Sequence, residues 1–175
     1  MKTVLRIFGV LIVLLAFLFI GLSIWRTGTD KDDLRENEIE MTLAKAQLET
    51  LKKEAASMTG ESKKLMDEQI ATADAAIKEI PSESILTVIQ VLFAVMFVVA
   101  LAAAIFLFRP NLKFSQILLI GSVVLLLVTY FISPDIERGE YSGMNNTTLA
   151  LMSGIPVIFA GLFAFLVARK SAVKA

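Results

Sequence analysis

Residues 84–108 read SILTVIQVLFAVMFVVALAAAIFLF, 25 residues without a charge. At 1.5 Å per residue such a helix is longer than the ~30 Å hydrocarbon layer of a bilayer. Three more uncharged apolar stretches occupy 7–25, 114–134 and 148–168. The whole chain of 175 residues is 56% hydrophobic and 19% charged, with a mean hydropathy of +0.72. That balance excludes a soluble enzyme, a nucleic-acid binder and a disordered tail, and it predicts an all-α polytopic membrane protein. Four transmembrane helices are expected, from Val4 to Trp25, Ser84 to Phe108, Leu112 to Ser133 and Thr147 to Ala168.

The flanks of these spans orient them. Lys2, Arg6, Arg109, Lys113, Arg169, Lys170 and Lys174 fall on one side with no acidic residue among them. The link between the third and fourth spans carries Asp135, Glu137 and Glu140 against Arg138. Lys and Arg concentrate in cytoplasmic loops, so both termini are expected inside. Trp25 and Tyr130 then lie at the outer boundary, where amphipathic rings settle. A cleaved signal peptide over 1–23, with Gly21 and Ser23 at the cleavage site, is the competing reading, and the length of the apolar run from Ile7 to Ile24 argues against it.

Residues 26–83 separate the first two spans and hold 9 Lys and Arg against 14 Asp and Glu, a net of −5. Their apolar residues follow helical spacing. Leu34, Met41, Leu48 and Ala55 recur every seven, interleaved with Ala44, Leu51 and Met58, while Met66, Ile70, Ala73, Ile77 and Ile80 step by four and three. Narrow stripes of this kind form the seam of a two-stranded coiled coil. The expectation is an extracytoplasmic antiparallel helical hairpin, giving three regions: 1–25 as the first span, 26–83 as the hairpin and 84–175 as the remaining spans. Gly28 is expected to break the helix leaving the membrane, with Thr29 or Asp30 capping the next one and Asp32 and Asp33 matched to its dipole. Asn37 occupies a seam position, Gly60 supplies the turn and Pro81 ends the second arm. Ser82 or Ser84 is expected to cap the second span. Alanines leave both seams poor in apolar area, so the hairpin is expected to need a partner or a second copy beside its own pairing.

The chemistry missing from the chain narrows its function further. With no Cys and no His there is no disulfide, thiolate, imidazole base or His-ligated metal. Neither an intramembrane Ser–His pair nor two intramembrane carboxylates are available, so no enzyme and no cofactor are expected. Thr59-Gly60-Glu61-Ser62 matches the TGES loop of P-type cation pumps, yet the companion DKTGT loop and room for a nucleotide domain are both missing; a turn is the plainer reading. Asn145-Asn146-Thr147-Thr148 holds two overlapping glycosylation sequons, but so close to the membrane that capping by Asn146 or Thr147 is expected instead. The carboxylates Asp30, Asp32, Asp33 and Glu36, and those at 135, 137 and 140, lack the spacing of a calcium loop, and solvated charge is the expected role. The outline resembles tetraspan proteins such as claudins, without their Trp, Gly-Leu-Trp and paired Cys.

Within the spans the polar side chains are Thr87, Gln90, Gln116 and Ser122, with Thr129 near the outer end, and none ionises. Ion pathways usually leave a charge at membrane depth. Gln90 and Gln116 are expected to bond across helices instead. Small residues recur at Gly9, Ala16 and Ser23, at Ala100 and Ala104, and along Ala160, Ala164 and Ala168, where helix backbones can approach, either within this four-helix bundle or against an outside partner. Pro156 beside Gly154 is expected to kink the fourth span. The sequence therefore points to a non-catalytic accessory or scaffold subunit of a larger membrane complex, in a bacterial inner membrane. Its partners would be the lipid bilayer and other membrane subunits, or further copies of itself, and no nucleic acid. Contact is expected through the hairpin residues Leu34, Met41, Leu48, Leu51, Met66, Ile70 and Ile77 and laterally through Ala160, Ala164 and Ala168. The alternative is a self-associating channel, holin-like pore or transporter component lined by Thr87, Gln90, Gln116 and Ser122. A sensor with an outer ligand is the weakest of the three.

Overall fold

The computed structural model describes residues 2–134 and 145–172, and among them every regular element is a helix. These are α1 (Lys2–Glu36), α2 (Glu38–Ser57), α3 (Glu61–Glu79), α4 (Glu83–Phe108), α5 (Leu112–Ile132) and α6 (Asn146–Ala172). Four of them, α1, α4, α5 and α6, are long and apolar enough to cross a membrane. The chain is an integral membrane protein built on these four helices.

The caps follow local chemistry. Ser82 takes the N-cap of α4 and accepts a hydrogen bond from the Ile85 N–H at 3.3 Å. Asn111, after Pro110, does the same for α5 through the Phe114 N–H at 3.2 Å. At the start of α6 the capping residue is Asn145: its Oδ1 accepts from the Thr148 N–H at 2.9 Å and from the Thr147 hydroxyl at 2.8 Å. That moves the cap one residue ahead of the expected Asn146 or Thr147 and frees Asn146 for the interior. Helix α6 continues unbroken through Pro156.

Helix α6 is the inner element. Half of its most apolar window is buried, against 22–28% in the other three spanning helices. It packs on α1, α4 and α5; α4 also touches both flanking helices, whereas α1 and α5 do not meet. The section is a rhombus with α4 and α6 across its short diagonal. Small residues permit this closeness. A Cβ on Gly154 would lie 2.4 Å from Leu126 Cδ1 and 3.0 Å from its Cβ, one on Gly161 would lie 3.3 Å from the Leu119 Cα, and one on Gly9 would strike the Leu107 side chain at 2.6 Å. Ala16, Ala100, Ala160 and Ala164 are fully buried in the same seams. The core divides in two: Ala16, Ile20, Leu86, Phe93 and Leu149 with their neighbours toward one end, and Val13, Ala103, Leu107, Ala164 and Val167 toward the end that carries the N-terminus.

Two expectations about the first helix are corrected. Gly28 does not break it: α1 runs on to Glu36, about 52 Å in all. The reason is tertiary. Gln90 of α4 lies over Gly28, its Nε2 3.2 Å from where a Cβ would sit, and donates to the Ile24 carbonyl at 3.4 Å. A glycine in a helix is costly when it bares backbone to water, and here a neighbouring side chain covers it. Thr29 and Asp30 accordingly cap nothing, and Asp32 and Asp33 stand near the C-terminal end of α1 rather than at a helix start. The break falls at Asn37, whose Nδ2 donates to the Asp33 carbonyl at 2.9 Å. Leu34 belongs to α1 and packs against the bundle core instead of opening a seam on α2.

Helices α2 and α3 pack on each other. Met41, Leu48, Leu51 and Ala55 on α2 with Met58 at its C-cap, and Met66, Ile70, Ala73 and Ile77 on α3 with Ile80 at its C-cap, are the covered or half-covered apolar positions of the pair, whereas Ala44 is exposed. Lys52 Nζ reaches Asp74 Oδ1 at 3.3 Å from one helix to the other, and Lys78 pairs with the same carboxylate at 2.6 Å. Between the helices Gly60 has φ 76° and ψ −147°. Its φ is positive as the turn requires, but its ψ places it in a region open to glycine alone and not in the left-handed helical well.

Candidate functional site

Ser23, Thr27 and Asp30 of α1 recur at intervals of four and three, and all three are buried. On antiparallel α6, Asn146 and Ser153 face them and are also buried. The result is a polar strip between the two helices, closed from lipid by apolar neighbours. At one end the Ser23 and Ser153 hydroxyls are 2.8 Å apart, and Ser23 also reaches the Leu149 carbonyl at 3.4 Å. The Thr27 hydroxyl donates to the Ser23 carbonyl at 2.8 Å. At the other end Asn146 Nδ2 donates to Asp30 Oδ2 at 3.5 Å, and Arg26 Nε stands 3.8 Å from Asp30 Oδ1. The Asp30 side chain keeps only 3% of its surface exposed.

Burial of Asp30 corrects the expectation of a solvated acidic cluster. Helical spacing turns it inward, while Asp32, two residues on, is exposed and pairs with Arg35 at 3.9 Å. Glu83 gathers the nearby cations: Arg35 Nε donates to it at 3.1 Å and Lys31 lies 3.6 Å away, tying the end of α1 to the start of α4. The carboxylates at 135, 137 and 140 lie outside the described residues. Among the described residues no three acidic side chains converge as metal ligands.

The four polar residues expected within the spans do not come together. Thr87 is exposed on α4 and bonds its own helix at the Glu83 carbonyl, 2.9 Å away. Gln90 crosses to α1 as expected. Gln116 is exposed on α5 and makes no cross-helix bond among the described residues, contrary to expectation. Ser122 is buried against α6 but donates to the Leu119 carbonyl at 2.7 Å, as Thr129 does to Leu125 at 2.8 Å. Hydroxyls turned onto the preceding turn in this way satisfy their own donors and offer little to a passing solute.

Of the expected contact residues, Ala160, Ala164 and Ala168 are 0%, 0% and 2% exposed, buried by this chain's own helices. The lateral role expected of them is corrected: a methyl-sized side chain lets α1 and α4 close on α6 and leaves nothing for an outside helix to touch. Leu48 is buried, and Met41, Leu51, Met66, Ile70 and Ile77 are half-buried, within the α2–α3 pair. The apolar groups left open on that pair are Ile39, Leu43 and Leu65, at 74%, 57% and 60% exposure.

Sequence reasoning missed Thr27, Asn146 and Ser153, and it took Ser23 only as a small residue. The signal was present as polar residues at i, i+4 and i+7 on the first helix and i, i+7 on the last. Chemically the strip offers hydroxyls, one amide and one carboxylate, with no His or Cys beside them to activate a nucleophile. Its Ser–Ser and Asn–Asp contacts fix the rotation and height of α1 against α6. Compared with protein-family models, with curated proteins and with solved structures, the chain matches none.

Proposed function

We propose that the chain is a non-catalytic accessory or scaffold subunit of a larger membrane complex, anchored by its bundle and reaching a partner outside the cytoplasm through α2 and α3. The observation that carries this reading is the exposure of Ile39, Leu43 and Leu65 on helices that stand apart from the bundle. The buried hydroxyls of Ser23, Thr27, Ser122, Thr129 and Ser153 bond to the bundle's own backbone or to each other, which favours a structural part for it. Both termini belong on the cytoplasmic side, because Lys2, Arg6, Arg109, Lys113, Arg169 and Lys170 gather at one end of the bundle. A bacterial inner membrane suits a chain without cysteine. Photo-crosslinking residues at Ile39, Leu43 and Leu65, with lipid-facing Val98 as control, test the proposal in intact cells. One discrete protein adduct from the three outer positions and none from Val98 is the expected result. Adducts only to lipid or to other copies of the chain would refute it.

The second reading, a channel or transporter component, draws on Asp30, since a carboxylate enclosed in a membrane bundle marks many solute paths. It requires ion or proton flux in liposomes that Asp30→Asn abolishes while the protein stays folded.

A further inference from the structure

At the end of the bundle that carries the N-terminus, Arg6 donates from Nε to the Leu107 carbonyl at 2.9 Å. That bond joins the first turns of α1 to the last turn of α4, where helix carbonyls lack intrahelical partners. It also fixes the guanidinium, leaving both Nη groups directed at no acceptor among the described residues. Beside it runs a groove of ≈ 410 Å³ lined by Thr3, Arg6, Ile7, Val10, Leu11 and Phe108. Ile7, Leu11 and Phe108 are 57%, 56% and 61% exposed, so the groove opens sideways toward the bilayer. Its walls are apolar along their length, and Arg6 is its one charged lining residue.

We propose that this groove binds a single anionic glycerophospholipid, its phosphate on Arg6 and one acyl chain along Ile7, Val10, Leu11 and Phe108. Charge complementarity selects the occupant. Lys2, Arg109, Lys113, Arg169 and Lys170 crowd the same end of the bundle, and no described acidic residue offsets them there. A guanidinium whose Nε is already committed still presents two Nη donors, a pair suited to phosphate oxygens. A zwitterionic lipid would bring its own cation into this cluster and lose the advantage. The apolar trough requires a chain-bearing ligand, so a free phosphate fills only half of the site.

Native mass spectrometry of the detergent-solubilised full chain, with phosphatidylglycerol or phosphatidylcholine added, tests the assignment. One phosphatidylglycerol is expected to stay bound at collision energies that strip phosphatidylcholine. Arg6→Gln should weaken that binding about fivefold, the effect of one basic residue at a membrane surface. Lys170→Gln, at the same end but outside the groove, should change it less than about twofold on the same electrostatic reasoning. Ile7→Trp, which fills the trough and keeps Arg6, should also release the lipid; it stands in if Arg6→Gln fails to fold by circular dichroism. Equal retention of the two lipids overturns the proposal, as does binding that survives both Arg6→Gln and Ile7→Trp. Displacement of the lipid by millimolar inorganic phosphate would overturn it too, because it would show a phosphate site in which the chain plays no part.

Discussion

Ser23 and Ser153 meet hydroxyl to hydroxyl at 2.8 Å inside the bundle, and Asp30, seven residues after Ser23, meets Asn146, seven residues before Ser153. Two polar contacts two turns apart set both the rotation and the height of α1 against α6, which apolar packing alone leaves loose. A double-mutant cycle on Ser23→Ala and Ser153→Ala should therefore give a coupling of about 0.6–1.7 kcal/mol, the range of interhelical hydrogen bonds in membranes. Unfolding in mixed detergent micelles measures it, and additive single effects would show that the pair is incidental.

Gly154 marks the tightest approach between α5 and α6. A side chain there meets both Cδ1 and Cβ of Leu126, and a Cβ atom cannot swing aside. Gly154→Leu should destabilise the bundle by about 1–3 kcal/mol, the usual cost of overpacking. Gly21, which has open space around it, should accept leucine with little change in the same unfolding assay.

Much of this architecture was legible in the sequence because lipid imposes a coarse rule. Four uncharged runs gave four spanning helices, and sevenfold spacing gave the covered positions of α2 and α3 nearly one for one. What escaped reading depends on contacts between distant segments. Gly28 reads as a helix breaker until Gln90, more than sixty residues away, covers it. Asp30 reads as one of a row of surface acids until α6 closes over it. Ala160, Ala164 and Ala168 announce a close helix contact, but the pattern cannot say whether the neighbour belongs to the same chain. Asn146 reads as a cap because Asn145, beside it, is equally capable of the task.

Gly60 is constrained by its backbone alone. Nothing lies within 4 Å of a Cβ built on it, yet its φ of 76° with ψ of −147° is open to glycine and to little else. Gly60→Ala should cost about 1–3 kcal/mol of α2–α3 pairing. Helical content lost from the isolated pair of mutations Gly60→Ala and Glu61→Ala would not separate the causes, so Gly60→Ala alone, followed by hydrogen exchange over 41–80, is the measurement.

Asp74 carries the pH response of α2 and α3. Hydrogen bonds from Lys78 and then Lys52 hold its carboxyl below the ordinary aspartate value of 3.8, and Asp74 in turn raises Lys52 above the usual 10.5. A depressed acid contributes stability that is full above its unfolded pKa and is lost as pH falls through the folded one. A raised base contributes stability that is full below its unfolded pKa and is lost as pH rises through the folded one. The pairing should therefore be flat from pH 5 to 9, loosen below about 4 and loosen again above about 10.5. Spin-label distances between positions Ala46 and Ala76 report it, and Asp74→Asn should remove the acid limb.

The most buried of the four spans, α6, is the one that follows the others in the chain. Before α6 leaves the ribosome α4 can already pack on α1 and α5, but the face of α1 that carries Ser23, Thr27 and Asp30 has no α6 to meet. That polar face waits uncovered on a partly assembled bundle, and only the arrival of the last helix closes it.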